Sequence, residues 1–286
     1  MKKYLCMLCS LVLLTTNYEV MAVPTLQERN GLIYEANKHQ PFTGKSINTS
    51  GDQTLEINYK KGKKDGVTTI WYVNGQKRSE GNFKEGKRDG TVVYWDERGN
   101  KTSIVNYKDD EYNGSMTAFF ENGQKKMEEY FNKGKRNGTS TYWNKNGQMI
   151  GEINYKKEKK EGVMTTWFGN GQKEFKSNYK NDILDGLSIS WNIRGNKLTA
   201  FNYKEGKRHG LLTTWYINGL KKSEGNYKEN KKNGLEITWY KNGQIKSKSN
   251  YMNDKRDGIT STWHKSGQKE SKLIFMQGKI VDSKLF

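Results

Sequence analysis

The chain has 286 residues, is 33% hydrophobic and 12% aromatic, and carries a formal net charge of +19 at pH 7. Low hydrophobicity with high charge can mean disorder, but disorder gives no reason for aromatics to recur at fixed phase, as they do here. Both cysteines, Cys6 and Cys9, lie in the first ten residues, so the rest of the chain offers no disulfide, thiolate metal site or cysteine nucleophile.

Residues 1–22 read as a secretory signal peptide. Lys2 and Lys3 supply the charged start, Tyr4 to Thr16 the apolar run, and Val20-Met21-Ala22 a small-residue cleavage site. The run is too short to span a membrane. The mature chain is expected to begin at Val23 and to be exported, to the periplasm or the medium. Residues 23–58 form a degenerate N-terminal capping unit in which Tyr34, Phe42, Gly44 and Gly51 echo the later pattern out of phase.

From Tyr59 onward the chain is periodic. Gly66 returns every 24 residues to Gly258, and Gly75 every 24 residues to Gly267, without an insertion. All eight tryptophans share one register: Trp71, Trp95, Trp143, Trp167, Trp191, Trp215, Trp239 and Trp263, with Phe119 in the gap. Such a period signals a repeat architecture. The regular array covers 59–272, and 273–286 is read as a C-terminal capping strand.

One unit predicts two strands and two turns. Residues 67–72 (VTTIWY) are β-branched and aromatic. Val73-Asn74-Gly75 is a turn, since Asn-Gly between strand-like runs is a strong hairpin signal. Residues 76–83 return, and Lys84-Glu85-Gly86 turns again. The last position of that turn is Gly, Asn or Asp in nine of ten units, with Glu158 the exception. These residues tolerate positive φ, so a three-residue loop with a left-handed third residue is expected at both ends of each strand pair. Odd-length loops would put Trp71, residues 67 and 69, residues 79 and 81, and the aromatic at 83 on one apolar face, leaving the even face wet. A bulge at Gly66 would flip that parity. The expected fold is all-β: an extended antiparallel single-sheet meander of 24-residue two-stranded repeats.

Two rows carry candidate binding residues. Lysine recurs at the turn edge, as Lys63, Lys87, Lys135, Lys159, Lys207 and Lys231. The row reads either as a device that keeps an open sheet soluble or as a surface for an anionic partner. The eight tryptophans read either as packing within the ladder or as an aromatic floor, with Lys77 and its equivalents opposite for cation–π contacts.

The unit resembles the bacterial variant of the MORN repeat, on Tyr59, Gly62, Gly66, Trp71, Asn74 and Gly75, over residues 59–275. The resemblance implies a β-array used as a binding scaffold. It also implies an antitoxin-like neutralising role for some members, against which the apparent signal peptide argues.

No catalytic constellation emerges. His39, His209 and His264 sit on distant units without metal-ligand spacing. Asp65, Asp89 and Asp185 recur one per unit, as turn chemistry does, and Gly62-Lys63-Lys64-Asp65-Gly66 has no helix to follow for a phosphate loop. The reading is a non-enzymatic exported scaffold, with no cofactor and no metal, that binds a protein partner through its aromatic face or sheet edges. The alternative is a basic scaffold for an anionic envelope polymer or acidic membrane surface. Homodimerisation through the apolar face is a further expectation, and export weighs against nucleic acid.

Overall fold

The computed structural model describes residues 25–286, so the expected signal segment lies outside the described residues. Among them there is no helix. Strands β1 (Leu26–Arg29) and β2 (Leu32–Glu35) form a small hairpin of their own. From β3 (Gly44–Ser50) to Lys279–Leu285, 23 strands form one antiparallel sheet. The meander continues through β4 (Gln53–Lys60), β5 (Lys63–Tyr72), β6 (Lys77–Lys84) and β7 (Lys87–Trp95), each pairing with the next. Closure into a barrel would require Lys279–Leu285 to pair with β3. Among the described residues each of these two strands pairs on one side only, so the sheet is an open ribbon.

The Asn-Gly hairpin forms as the sequence predicts. Gly75 N–H donates to Tyr72 O at 3.0 Å and Tyr72 N–H donates to Gln76 O at 2.9 Å, enclosing Val73-Asn74-Gly75. Gly75 sits at φ 82°, where a Cβ would be strained. The second turn differs from the expected three-residue loop. Lys84 pairs with Lys87, leaving two residues, Glu85 (φ 50°) and Gly86 (φ 89°), both left-handed. This is the geometry of a type I′ turn, whose twist matches that of the flanking strands. It recurs at Lys157 (φ 50°) and Glu158 (φ 71°), so the glutamate that breaks the residue pattern still adopts the conformation. Its carboxylate accepts hydrogen bonds from the Arg136 backbone N–H and side chain, which fixes the turn.

The expected segregation into an apolar odd face and a wet even face does not occur. Trp71 pairs with Lys77, but Ile70 pairs with Ser79, Thr69 with Glu80 and Val67 with Asn82. Arg78 is the extra residue of a bulge, and it reverses the parity of every side chain after it. The same shift recurs beside Trp95, Trp143, Trp191 and Trp263. At Gly90 the ladder is also irregular: Phe83 pairs with Arg88, then Gly81 with Val92. Two extra residues on one strand preserve parity there. One face therefore carries Trp71, Val67 and Thr69 with Lys77, Glu80 and Asn82. The other carries Thr68 and Ile70 with Ser79, Gly81 and Phe83. Both faces are aromatic, and each is half polar.

Neither face makes a thick core. Among the described residues seven apolar side chains are buried, and the compact cluster is Val92, Val105 and Tyr107, with Tyr94 and Met116 packed against it. Hydroxyl pairs take the place of apolar contacts elsewhere on that face, as in Ser177–Ser188 at 2.7 Å and Thr238–Ser247 at 2.6 Å. Cross-strand pairs of this kind stabilise a sheet by roughly 0.2–1 kcal/mol each. The many small terms suit a ribbon whose units touch only their neighbours.

At the N-terminal end, Gly44 pairs with Tyr59 as Gly66 pairs with Phe83, so β3 and β4 form a repeat-like pair with a shortened hairpin. The β1–β2 hairpin docks beside them: Ile33 N–H donates to Gly62 O at 2.9 Å, and Gly62 N–H donates to Phe42 O at 2.7 Å.

Candidate interaction surfaces

The tryptophan row is built by the hairpin. Seven of the tryptophans end the first strand of their unit and Trp71 stands one residue before the end of β5, and all eight are half-buried. Trp71 is paired with Lys77 in register, as expected. The lysine nevertheless stacks on the next unit. Lys77 Nζ lies 5.9 Å from the Trp95 ring centroid, Lys125 5.6 Å from Trp143, Lys197 5.8 Å from Trp215 and Lys221 5.6 Å from Trp239. Three of these lysines also bind a glutamate on their own strand, Glu80, Glu128 and Glu224. The result is an interrupted row of lysine–tryptophan contacts at four of the eight tryptophans, in which each exposed cation–π contact contributes about 0.5–1 kcal/mol.

The lysine row lies elsewhere. Lys63 and Trp71 face the same side but pair with Lys60 and Thr54, six residues apart on β4, about 20 Å along the strand. Lys87, Lys135, Lys159, Lys207 and Lys231 sit equivalently at the two-residue turns. The two candidate rows therefore run parallel along opposite edges and do not converge. Lys60 stands opposite Lys63, Lys84 opposite Lys87, Lys156 opposite Lys159, Lys204 opposite Lys207 and Lys228 opposite Lys231. Like charges directly opposite one another destabilise a sheet.

The other face has its own ladder, which the sequence reading missed. The residue after each turn-edge position sends a cation over an aromatic on the following strand. Arg88 lies 4.2 Å from the Tyr107 ring, Arg136 4.3 Å from Tyr155 and Lys232 4.9 Å from Tyr251. In one unit Tyr112 replaces the cation and stacks on Phe131 at 5.2 Å. Burial pushes the Tyr107 phenol up, and its contact with the Tyr94 hydroxyl adds to this. Burial also pushes Tyr142 up to about 12, helped by donation from its hydroxyl to the buried Glu129 carboxylate at 2.7 Å.

Asparagines hold the irregular points. Asn58 donates to Val67 O at 2.7 Å across the Gly66 irregularity, and Asn106, Asn154 and Asn178 repeat the contact at 2.9–3.0 Å. Their 24-residue recurrence was a legible signal. The histidines stay apart: His209 approaches Glu229 and His264 approaches Glu270, in separate units. Among the described residues no cluster of His, Cys, Asp or Glu could hold a metal ion, and no helix is long and apolar enough to cross a membrane.

These features define an extended, single-layer β-repeat protein with interaction ladders on both faces. Six of its units are matched by the family model described as MORN repeat variant, over residues 64–85, 88–109, 112–133, 136–157, 160–181 and 232–253. The family is generally a non-catalytic repeat scaffold. No curated protein matches the chain.

Proposed function

We propose that this protein is a non-enzymatic exported scaffold that binds a protein partner along its tryptophan-bearing face. One observation carries the reading: eight tryptophans in a single row remain half-buried on a one-layer sheet. A row of half-exposed aromatic side chains left open in this way suits an interaction site, and Trp is enriched among residues that dominate binding energy. The test is capture of a partner from an envelope extract, followed by affinity measurement with variants shown to be folded. Trp191→Ala is expected to weaken binding by about 2 kcal/mol or more, the scale of a hot spot. Triple Lys159→Gln, Lys207→Gln, Lys231→Gln is expected to alter mainly the on-rate. Unchanged affinity of the Trp191 variant would overturn the reading. Export is tested separately by intact mass: exported protein should begin at Val23.

The cross-strand lysine pairs favour a second reading, an anionic envelope polymer or acidic surface along the turn edge. For such a partner the order reverses. The triple-lysine variant loses binding and its salt dependence flattens, while Trp191→Ala is tolerated.

A further inference from the structure

The same six repeat positions line the clefts beside Asp65 and Asn137, where two neighbouring turns stack. In the unit around Asp89 they are Lys84, Glu85, Lys87, Asp89, Lys108 and Asp109, which are electrically balanced. In the unit around Asn137 they are Asn132, Lys133, Lys135, Asn137, Lys156 and Lys157. Of the nine such sets, from the one at Asp65 to the one at Asp257, this alone holds four lysines and no carboxylate. The structure places these six residues around a cleft of about 480 Å³.

In other units the acid at this position is used internally. Asp89 binds Lys108 at 2.7 Å, Asp65 accepts from Glu85 N–H at 3.3 Å, and Glu161 accepts from Asn181 N–H at 2.9 Å. Asn137 offers no charge for this. The neighbouring Glu158 carboxylate is engaged by Arg136. The backbone is irregular at the same point: the strand breaks at Asn137, whose N–H donates to Tyr130 O at 2.7 Å, and Tyr130 replaces the asparagine that bridges other units.

We propose that this cleft is a binding site for a compact phosphate-type polyanion, a diphosphate or a phosphomonoester group. Lysine ammonium groups are compact, rotatable charges that suit phosphate oxygens without demanding planar bidentate geometry. The two asparagine amides add neutral donors. A volume of about 480 Å³ accommodates such a group with part of what it is attached to. The site lies at the turn edge, apart from the tryptophan row, and stands independently of the protein-binding reading.

The experiment is calorimetric titration of the full mature chain with inorganic pyrophosphate at low salt, beside Asn137→Asp. Aspartate is native at this position in other units, so the variant is expected to fold, as a circular dichroism melt will verify. It restores the missing carboxylate and is expected to weaken pyrophosphate binding about tenfold or more. Lys133→Gln with Lys157→Gln should do the same, whereas Lys61→Gln with Lys84→Gln, in the cleft beside Asp65, should not. Sedimentation with phosphatidylcholine vesicles, with and without phosphatidic acid, separates the sources. Retention on the acidic vesicles that pyrophosphate displaces indicates a lipid headgroup, and pyrophosphate binding without retention indicates a soluble phosphate. Absence of pyrophosphate binding, or equal binding by the wild type and Asn137→Asp, would overturn the proposal.

Discussion

The Asn74 side-chain amide donates to the backbone carbonyl of Glu97 at 2.7 Å, one repeat further along the ribbon. Its own Oδ1 accepts from Gln76 N–H at 3.0 Å, so the side chain that shapes one hairpin also ties it to the next. The same inter-repeat contact links Asn122 to Lys145, Asn170 to Ile193 and Asn218 to Lys241. A net hydrogen bond contributes about 0.5–1.5 kcal/mol. Asn170→Ala should therefore cost roughly 1–2 kcal/mol in a denaturant melt. Asn170→Asp keeps the turn acceptor, loses the donor, and should recover only part of it. Full stability of the alanine variant would show that the contact contributes nothing.

Deleting one period, residues 163–186, joins strands of matching type and restores both flanking interfaces. Deleting 12 residues joins the wrong strand types and places a two-residue turn where a bulged hairpin belongs. The first variant should fold with a modest loss of stability and the second should not fold. Denaturant melts of the two decide it, and equal behaviour would count against nearest-neighbour energetics.

Tyr142 makes stability depend on high pH. Burial and its bond to Glu129 hold its folded pKa at about 12, above the ordinary 10. A phenol raised in this way favours the folded state fully below pH 10, and that contribution is lost as pH rises through 12. Tyr142→Phe should flatten the alkaline limb of the stability curve. It should also destabilise at neutral pH by about 1–3 kcal/mol, because the buried Glu129 loses its donor. An unchanged alkaline limb would remove Tyr142 as its source.

Asp110 makes the opposite contribution at low pH. Its carboxylate is held below the usual range by the Arg88 side chain first and by the Arg88 backbone N–H second. The stabilisation is present above the ordinary carboxylate range and is lost as pH falls through the depressed value. Asp110→Asn keeps the backbone contact, as the native Asn230 does with Arg208 N–H at 2.8 Å. The variant should lose less than about 1 kcal/mol at neutral pH, since the pair is largely exposed. Near pH 2 it should match the wild type. A difference that persists in acid would place the effect in geometry.

The left-handed turn residues offer a gain. Glu85 sits at φ 50°, a region asparagine tolerates better than glutamate. Glu85→Asn should raise stability by a few tenths of a kcal/mol to about 1 kcal/mol, read as a higher melting temperature.

The sequence by itself determined the period, the two strands per unit and the Asn-Gly hairpin, because these rest on local chemistry. β-branched and aromatic runs favour extended backbone, and Gly75 admits a conformation that other residues resist. Tertiary structure decided which side chains share a face. That choice turns on a single bulge residue, which reads Arg78, Thr102, Lys126, Ile150, Glu174 and Leu198 in successive units. No common side chain marks it, yet one extra residue sends all that follow to the opposite face. The two-residue turn was hidden for the same reason. Its first position is Lys61, Glu85, Asp109, Lys133 and Lys157 in successive units, and most of these do not seek positive φ. They are held there by the twist of the strands on either side, and in each turn the second residue's N–H bonds to the chain one unit earlier. The unbalanced lysine cleft likewise needed the fold, because its residues become neighbours only when the turns at Gly134 and Glu158 are stacked.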